Sequence, residues 1–177
     1  MDVFEALRRR RVHRTFDTRQ VPRDVVSKLL FAGGKAPTGA NLPYRGFIVV
    51  DKKDTIVAIK KISPGFPGIS PLVIVIFSNT RLAREEGGNV GEFGTIFDAG
   101  VATGNILLAC VAEGLVACLV KSYPEAGVAQ LLRLPEGIRT EIMIAIGYPN
   151  GKPSRSVKKR LGADVAFHNR FNSKYVV

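Results

Sequence analysis

Apolar positions along this chain alternate between helical spacing and short continuous runs. Helical spacing or helix-type ends mark five segments: 2–10, 21–36, 54–62, 94–114 and 124–134. Continuous apolar runs of strand length mark four others: 46–51, 70–78, 115–122 and 138–149. Helices and strands that alternate in this order predict one α/β or α+β domain over residues 1–177.

Local signals set the expected ends of these elements. Asp2 is a good N-cap for the first helix, and the Gly33-Gly34 pair is expected to end the second. The stretch 36–44 lacks periodicity and is predicted to be a loop. The polar, glycine-containing stretch 80–93 is predicted to be a mobile surface loop or a poorly formed helix.

The helix predicted at 94–114 carries an unusual number of small residues. They are Ala99, Gly100, Ala102, Gly104, Ala109 and Ala112. Glycine inside a helix costs about 1 kcal/mol, so small side chains at these positions indicate that another element packs very closely. Another helix of the chain, or a helix of a partner subunit, would fill that role.

The net charge of +11 is concentrated in two short segments. Five basic residues lie near the start of the chain: Arg8, Arg9, Arg10, Arg11 and Arg14. Five more lie near its end: Lys152, Arg155, Lys158, Lys159 and Arg160. The other Lys and Arg residues nearly balance the 15 Asp and Glu. Two clusters favour segments that meet around one anion, because a general nucleic-acid-binding face would spread its lysines over several elements.

Hydropathy and the two cysteines indicate in which cellular compartment the protein is expected to lie. No uninterrupted apolar run approaches the roughly 18 residues of a membrane-spanning helix. The arginines near the N-terminus are not followed by the apolar segment of a secretory signal. Cys110 and Cys118 lie in apolar patterns and are predicted to be buried, reduced thiols. We therefore expect a cytoplasmic protein with no membrane partner.

The familiar catalytic groupings are absent from the sequence. His13 and His168 are far apart and lack ligand-spaced partners, so no metal site is expected. The chain has no Gly-x-Ser-x-Gly motif, no P-loop and no Gly-x-Gly-x-x-Gly after a strand. If the protein is an enzyme, a bound cofactor is expected to carry the chemistry, without a nucleophilic side chain.

Four stretches in order resemble the nitroreductase family of FMN-dependent oxidoreductases over nearly the full chain. They are "RRVHRTFDTRQVP" near the start, "APTGANLPYRGFIVV", "FDAGVATGNILLACVAEGL", and "LLRLPEGIRTEIMIAIGYP" with the basic segment after it. The resemblance implies an α+β fold with a central mixed, mostly antiparallel sheet flanked by helices. It also implies an obligate homodimer with FMN at the subunit interface.

The resemblance assigns cofactor-binding roles by position. The predicted phosphate-binding residues are Arg10, Arg11, Arg14, Lys158 and Arg160. Guanidinium groups suit this role because they bind phosphate oxygens bidentately, and lysine adds a point charge. The predicted neighbours of the flavin ring are Pro37, Thr38, Gly39, Asn41, Lys121 and Ser122. Asn41 would contact the flavin or close its own loop by a hydrogen bond.

The implied reaction is a ping-pong transfer. NADH or NADPH would give a hydride to the flavin, and a nitroaromatic, quinone or similar acceptor would then take the electrons. Three departures from the family pattern bear on this. Val12 replaces a serine, "NLPYRG" replaces Asn-x-Gln-Pro-Trp, and the segment 63–95 is short where the family places substrate-capping helices.

Two other readings stay open at this point. A specialised flavin dehydrogenase could use the same fold and FMN site with little nitroreductase turnover. A basic nucleic-acid-binding protein would account for the charge. It is disfavoured because no binding motif is present and few aromatic residues lie among the arginines.

Overall fold

The computed structural model describes residues 1–153 and 166–173. Five helices lie in these residues: α1 (Val3–Arg9), α2 (Arg23–Gly34), α3 (Lys53–Ile62), α4 (Thr80–Ala112) and α5 (Glu125–Leu132). Four strands lie there as well: β1 (Arg45–Val50), β2 (Leu72–Asn79), β3 (Val116–Val120) and β4 (Ile138–Gly147). A short 3-10 turn, Gly39–Asn41, precedes β1. The elements predicted from the sequence are therefore confirmed in number and order.

The four strands form one sheet in the order β1-β2-β4-β3, and each of its three ladders is antiparallel. In the described residues, the one parallel pairing is an isolated bridge between Val12 and Ala117 on β3. The predicted α+β class, with a mostly antiparallel sheet flanked by helices, is confirmed.

Residues on β2 alternate between two hydrophobic cores. Ile74 and Ile76 face the core formed with α2 and α4, whereas Val73 and Val75 face the core that contains residues of α3 and α5. All four side chains are fully buried. Successive strand residues point to opposite faces, so a strand covered on both faces reads as a continuous apolar run, as "LVIVIF" does.

A glycine fixes how β1 sits beside β2. Gly46 on β1 pairs with Phe77 on β2. A Cβ atom built on Gly46 would lie 2.2 Å from the tip of the Phe77 ring. The ring therefore occupies the space that any larger residue at position 46 would need.

Of the two alternatives predicted for 80–93, the mobile surface loop was wrong, and an interrupted helix is present. This stretch is the first part of α4, interrupted at Gly88, where φ is +60° and ψ is −153°. Its helical turns are stabilised by the Asn79 side chain, which accepts a hydrogen bond from the Leu82 N–H at 3.0 Å, and by the Arg81–Glu85 ion pair. Glycine tolerates the positive φ, so the glycine content marks a sharp bend between helical segments.

The bend brings Gly91 close to the turn before it. A Cβ atom on Gly91 would lie 2.3 Å from the Ala83 carbonyl oxygen, whereas one on Gly87 would meet nothing within 4 Å. We expect Gly91→Ala to lower the free energy of unfolding by about 1–3 kcal/mol, as overpacking does. The matched Gly87→Ala change should instead raise it by about 0.5–1 kcal/mol. Urea denaturation of both variants checks this, and equal stabilities would contradict the bend geometry.

Helix α4 is long and apolar enough to cross a membrane by length and composition, with an 18-residue window of mean hydropathy 1.6. No uninterrupted apolar run marks this helix in the sequence, because glycines, threonines and an asparagine divide it, yet the aliphatic residues keep its mean hydropathy high. One such helix is weak evidence of a membrane span, and α4 contacts α1, α2 and the sheet. Ala99 and Ala102 supply part of that packing and are buried.

Both cysteines are buried thiols, as predicted. Cys110 lies on α4 and Cys118 on β3, and neither forms a disulfide in the described part of the chain. Burial raises the pKa of the Cys110 thiol to about 12, so this group stays protonated at neutral pH.

Candidate functional site

The segment after α1 runs beside the edge strand β3, and its side chains alternate between exposed and buried over residues 12–14. Val12 forms the bridge to Ala117, and the His13 N–H donates to the Ala117 carbonyl at 3.4 Å. His13 and Phe16 are buried, whereas Val12 and Arg14 are exposed. Strand-like alternation thus sends Arg14 outward while His13 turns into the protein.

Arg10 and Arg11 lie where α1 ends. The Arg10 N–H donates to the Ala6 carbonyl at 2.9 Å and closes the last turn. The Arg11 guanidinium donates to the carbonyls of Arg8 and Arg10, at 2.7 and 2.9 Å. Basic side chains commonly satisfy the free carbonyls of a helix C-terminus, so Arg11 has a structural role in addition to the predicted phosphate contact.

A small cavity of about 180 Å³ lies between these arginines and the end of α4. Its lining includes Arg9, Arg10, Arg11 and His13. His13 is only 7% exposed, and its Nδ1 has no hydrogen-bond partner among the described residues. Burial lowers the pKa of His13, which favours the neutral imidazole beside three guanidinium groups.

Arg14 lies next to β3 and to the loop between α3 and β2. Its carbonyl accepts the Gly68 N–H at 2.8 Å, and its charge lies near enough to the Cys118 thiol to affect that group. Burial raises the pKa of that thiol, and the positive charge of Arg14 opposes the rise. The same loop reaches Ser122, whose carbonyl accepts the Gly65 N–H at 3.3 Å. One loop between α3 and β2 therefore bonds the main chain of both Arg14 and Ser122.

Lys121 precedes Ser122 and is exposed at the end of β3. Its Nζ lies 3.1 Å from Glu125 Oε1 and 5.4 Å from the centroid of the Tyr123 ring. The Lys121 side chain is thus engaged with the first turn of α5. Its predicted place beside the flavin ring stays a prediction.

The predicted flavin loop is anchored by side chains that the sequence analysis did not select. Asp98 Oδ2 accepts the Gly39 N–H at 2.7 Å and also accepts the Tyr44 hydroxyl. The Arg45 guanidinium donates to the carbonyls of Ala36, at 2.6 Å, and Pro37, at 3.0 Å. A third bond, of 3.2 Å, joins it to the Asp98 carbonyl. Loop 36–41 is therefore fixed to α4 and to the start of β1.

Burial perturbs two of these anchoring groups. Tyr44 is 1% exposed, and burial together with the Asp98 hydrogen bond raises the pKa of its hydroxyl. Burial lowers the pKa of the Arg45 guanidinium, an effect that the negative charge of Asp98 opposes. A neutral phenol between a carboxylate and a guanidinium satisfies the buried polar atoms at this point of the fold.

The turn inside the loop is tight. Ala40 and Asn41 have φ of 50° and 57°, and the Asn41 N–H donates to the Thr38 carbonyl at 3.0 Å. Asn41 closes the loop through this backbone bond, and its side chain is exposed. Its predicted flavin contact stays a prediction.

Within one chain, the predicted residues form two separate groups. Arg10 and Arg11 share a cavity with Leu107 and Cys110 on α4, whereas loop 36–41 is bound to Asp98. These α4 positions are nine to twelve residues apart, which is about 14–18 Å along a helix that rises 1.5 Å per residue. Lys158 and Arg160 lie outside the described residues.

An exposed apolar face covers the outer side of α4. We call it the α4 face; it consists of Val90, Phe93, Ile96, Phe97 and Val101. Phe93 and Phe97 are each 62% exposed, and their ring centroids lie 5.2 Å apart. Large contiguous apolar patches on a protein surface mark interaction sites.

Two further features bear on chemistry. A larger cavity of about 340 Å³ lies between the start of α3 and the segment before β2, and no predicted site residue lines it. In residues 1–153 and 166–173, no group of three or more His, Cys, Asp and Glu side chains could hold a metal ion.

The residues of the anchoring network lie in two motifs of the sequence, but no local signal joins them. Asp98 is the acidic residue of "FDAGVATG", and Tyr44-Arg45 directly follows the loop in "NLPYRG". Both motifs were used for the resemblance, but 53 or more residues separate Asp98 from its partners. Only the fold brings them together.

Comparison with known proteins identifies the family of the chain. The sequence model of the nitroreductase family matches residues 7–66 and 57–148. A provisionally named NADH dehydrogenase/NAD(P)H nitroreductase of Methanothermobacter thermautotrophicus is 30% identical over 159 residues, which cover 86% of this chain and 80% of that protein. An iodotyrosine deiodinase of Haliscomenobacter hydrossis is 22% identical over 176 residues, covering 84% and 79%.

A solved structure gives the class of fold. The chain is similar to an FMN-dependent nitroreductase from Clostridium difficile R20291 with a TM-score of 0.80 at 24% identity, covering 95% of this chain and 99% of that one. The fold is thus the nitroreductase fold. With the family match over most of its length, the chain belongs to the nitroreductase family.

Proposed function

We propose that this chain is an FMN-dependent oxidoreductase with one cofactor-binding domain over residues 1–177. It takes a hydride from NADH or NADPH and passes electrons to a nitroaromatic, quinone or similar acceptor. The observation that carries the proposal is a single loop, within a nitroreductase fold, whose Gly68 and Gly65 bond the main chain of Arg14 and of Ser122. A predicted phosphate-binding residue and a predicted neighbour of the flavin ring are thus held by the same segment.

The residues present fit FMN chemically. Arg14 is exposed, and its backbone is held by Gly68, so a guanidinium stands beside the edge strand. Arg10 adds a second guanidinium close to the same segment. Charge-assisted, bidentate bonds of this kind suit a phosphate group. Lys158 and Arg160 would complete the phosphate site.

A homodimer accounts for the separation between the two groups of predicted residues. In this proposal, the arginines of one subunit and loop 36–41 of its partner hold the same flavin. The α4 face supports this because Phe93 and Phe97 lie on the same helix as the Asp98 anchor and are exposed. A second subunit packed on this face would bury them.

The protein's own contribution is to bind and orient. When bound, FMN supplies the redox chemistry by accepting a hydride and releasing electrons to the acceptor. The arginines hold its phosphate, loop 36–41 borders its ring, and the backbone at Lys121 and Ser122 offers hydrogen bonds to the ring edge. The buried side chains around Cys118 limit water on the protein side of the site.

The test is an absorbance spectrum of the purified protein after incubation with FMN and desalting. Flavin bands at about one FMN per chain would support the proposal. Anaerobic addition of NADH or NADPH should then bleach those bands. A colourless protein that retains nucleic acid in a salt-dependent manner would instead favour the nucleic-acid-binding alternative.

A second candidate is a specialised flavin enzyme on the same fold. It is favoured by the "NLPYRG" sequence, which stands where the family pattern is Asn-x-Gln-Pro-Trp. In this chain the aromatic residue of that stretch, Tyr44, is buried and hydrogen-bonded to Asp98. The similarity to a protein named as an iodotyrosine deiodinase also supports a specialised activity. Steady-state NAD(P)H oxidation with a quinone or nitroaromatic separates the two, because a specialised enzyme would carry FMN yet turn over slowly.

A further inference from the structure

We infer that Asp98, acting with Tyr44 and Arg45, is a positioning residue that sets the conformation of loop 36–41 for cofactor binding. The inference rests on the proposed function and deepens it. Asp98 contributes both its side-chain carboxylate and its main-chain carbonyl to the network. The loop is thereby bound to the middle of α4 rather than left as a free connection between α2 and β1.

The network determines which polar groups of the loop are left for a ligand. The Gly39 N–H is donated to Asp98, and the Asn41 N–H is donated to Thr38. Pro37 has no N–H, and its carbonyl accepts from Arg45. The backbone donors that remain in the described loop are the N–H groups of Thr38 and Ala40. The flavin ring is therefore expected to meet these amides and not that of Gly39.

The carboxylate also stabilises an unfavourable backbone. Ala40 has a positive φ of 50°, which residues other than glycine rarely adopt. Such a conformation persists only where surrounding contacts determine it. Gly39 is the residue just before it, and its N–H is held at 2.7 Å by Asp98 and at 3.1 Å by the Tyr44 hydroxyl. Loss of the carboxylate would let this turn relax.

The experiment measures FMN affinity of the full chain for four variants. Asp98→Ala removes both side-chain bonds, whereas Asp98→Asn keeps an oxygen that accepts from Gly39 and Tyr44. Tyr44→Phe removes one hydroxyl and keeps the ring. The matched control is Thr95→Val, one helical turn before Asp98. The Thr95 hydroxyl is buried and lies 3.0 Å from Glu141 Oε1 and 2.8 Å from Arg139 Nη2, away from the loop.

We expect Asp98→Ala to raise the dissociation constant for FMN about 10- to 100-fold and Tyr44→Phe about 3- to 10-fold. Asp98→Asn should return the constant to within about fivefold of wild type, because the acceptor oxygen is restored. Thr95→Val should leave it unchanged even where the apoprotein melts at a lower temperature. The visible circular dichroism of bound FMN should change in Asp98→Ala and recover in Asp98→Asn.

The outcomes separate the two proposals. If the wild-type protein does not retain FMN, the proposed function fails. If wild type retains FMN and the Asp98 and Tyr44 variants bind it equally well, the positioning role is wrong while the function stands. If Thr95→Val weakens FMN binding as much as Asp98→Ala, the effect reports general destabilisation, and the positioning role is again wrong.

Discussion

Replacing Arg14 by Ala is expected to raise the dissociation constant for FMN at least about a hundredfold, which corresponds to roughly 3 kcal/mol. Arg14 is exposed, and its carbonyl accepts the Gly68 N–H at 2.8 Å. Its main chain is therefore fixed beside β3 before the phosphate arrives. Val12 stands where the family has a serine, so no neighbouring hydroxyl at that position can replace the lost bonds.

The matched control for this change is Arg81→Ala. Arg81 lies in the first turn of α4, its side chain is 80% exposed, and it pairs with Glu85. Both variants lose one positive charge, so general electrostatic attraction falls equally. Isothermal titration with FMN compares them, and equal losses of affinity would show that Arg14 acts only through net charge. Unchanged affinity in Arg14→Ala would show that the phosphate lies elsewhere.

The second large effect is expected for Phe97→Glu. A carboxylate in the centre of the α4 face would have to be buried against the partner without a counter-charge. We expect dimerisation to weaken by about 3 kcal/mol or more, roughly a hundredfold, as for a central interface residue. FMN binding should fall in parallel, because the arginines and loop 36–41 of one flavin site would come from different subunits.

Leu131→Glu provides the comparison. Leu131 lies on α5, across the sheet from α4, and is 40% exposed. Sedimentation velocity at several concentrations measures the oligomer, and flavin absorbance after desalting measures retention. Wild type and Leu131→Glu should be dimers that carry FMN, and Phe97→Glu should be a colourless monomer. A dimeric, yellow Phe97→Glu variant would exclude the α4 face as the interface.

The sequence predicted the elements that local signals specify. The Asp2 side chain caps α1 by accepting the Glu5 N–H at 2.9 Å, as its residue type indicates. The run "LVIVIF" is a strand buried on both faces, and the short length of this apolar run indicates a strand instead of a helix. Over 80–93 the sequence left a surface loop and a poorly formed helix open, because three glycines weaken the helical pattern. Only the positive φ at Gly88 shows that helical turns form there with a bend between them.

The sequence predicted site residues that lie within one short segment, but not contacts between residues that are distant along the chain. The exposed arginines of the first cluster were visible in the sequence, but the capping of α1 by Arg11 depends on where that helix ends. The role of Asp98 could not be inferred, because 59 residues separate it from Gly39. Burial of His13 likewise depends on the pairing of Val12 with β3, which follows from the fold and not from local sequence.

The pairing of Gly46 with Phe77 has a consequence for how the sheet selects its alignment. A shift of β2 by one residue would exchange Ile74 and Ile76 for Val73 and Val75, and all four are apolar. Polarity therefore gives little discrimination between the correct and the shifted alignment. The aromatic ring at position 77 lies over the glycine opposite it, in space that a side chain at position 46 would fill. Steric fit at this residue pair therefore adds a preference for the observed register that hydrophobic patterning does not supply.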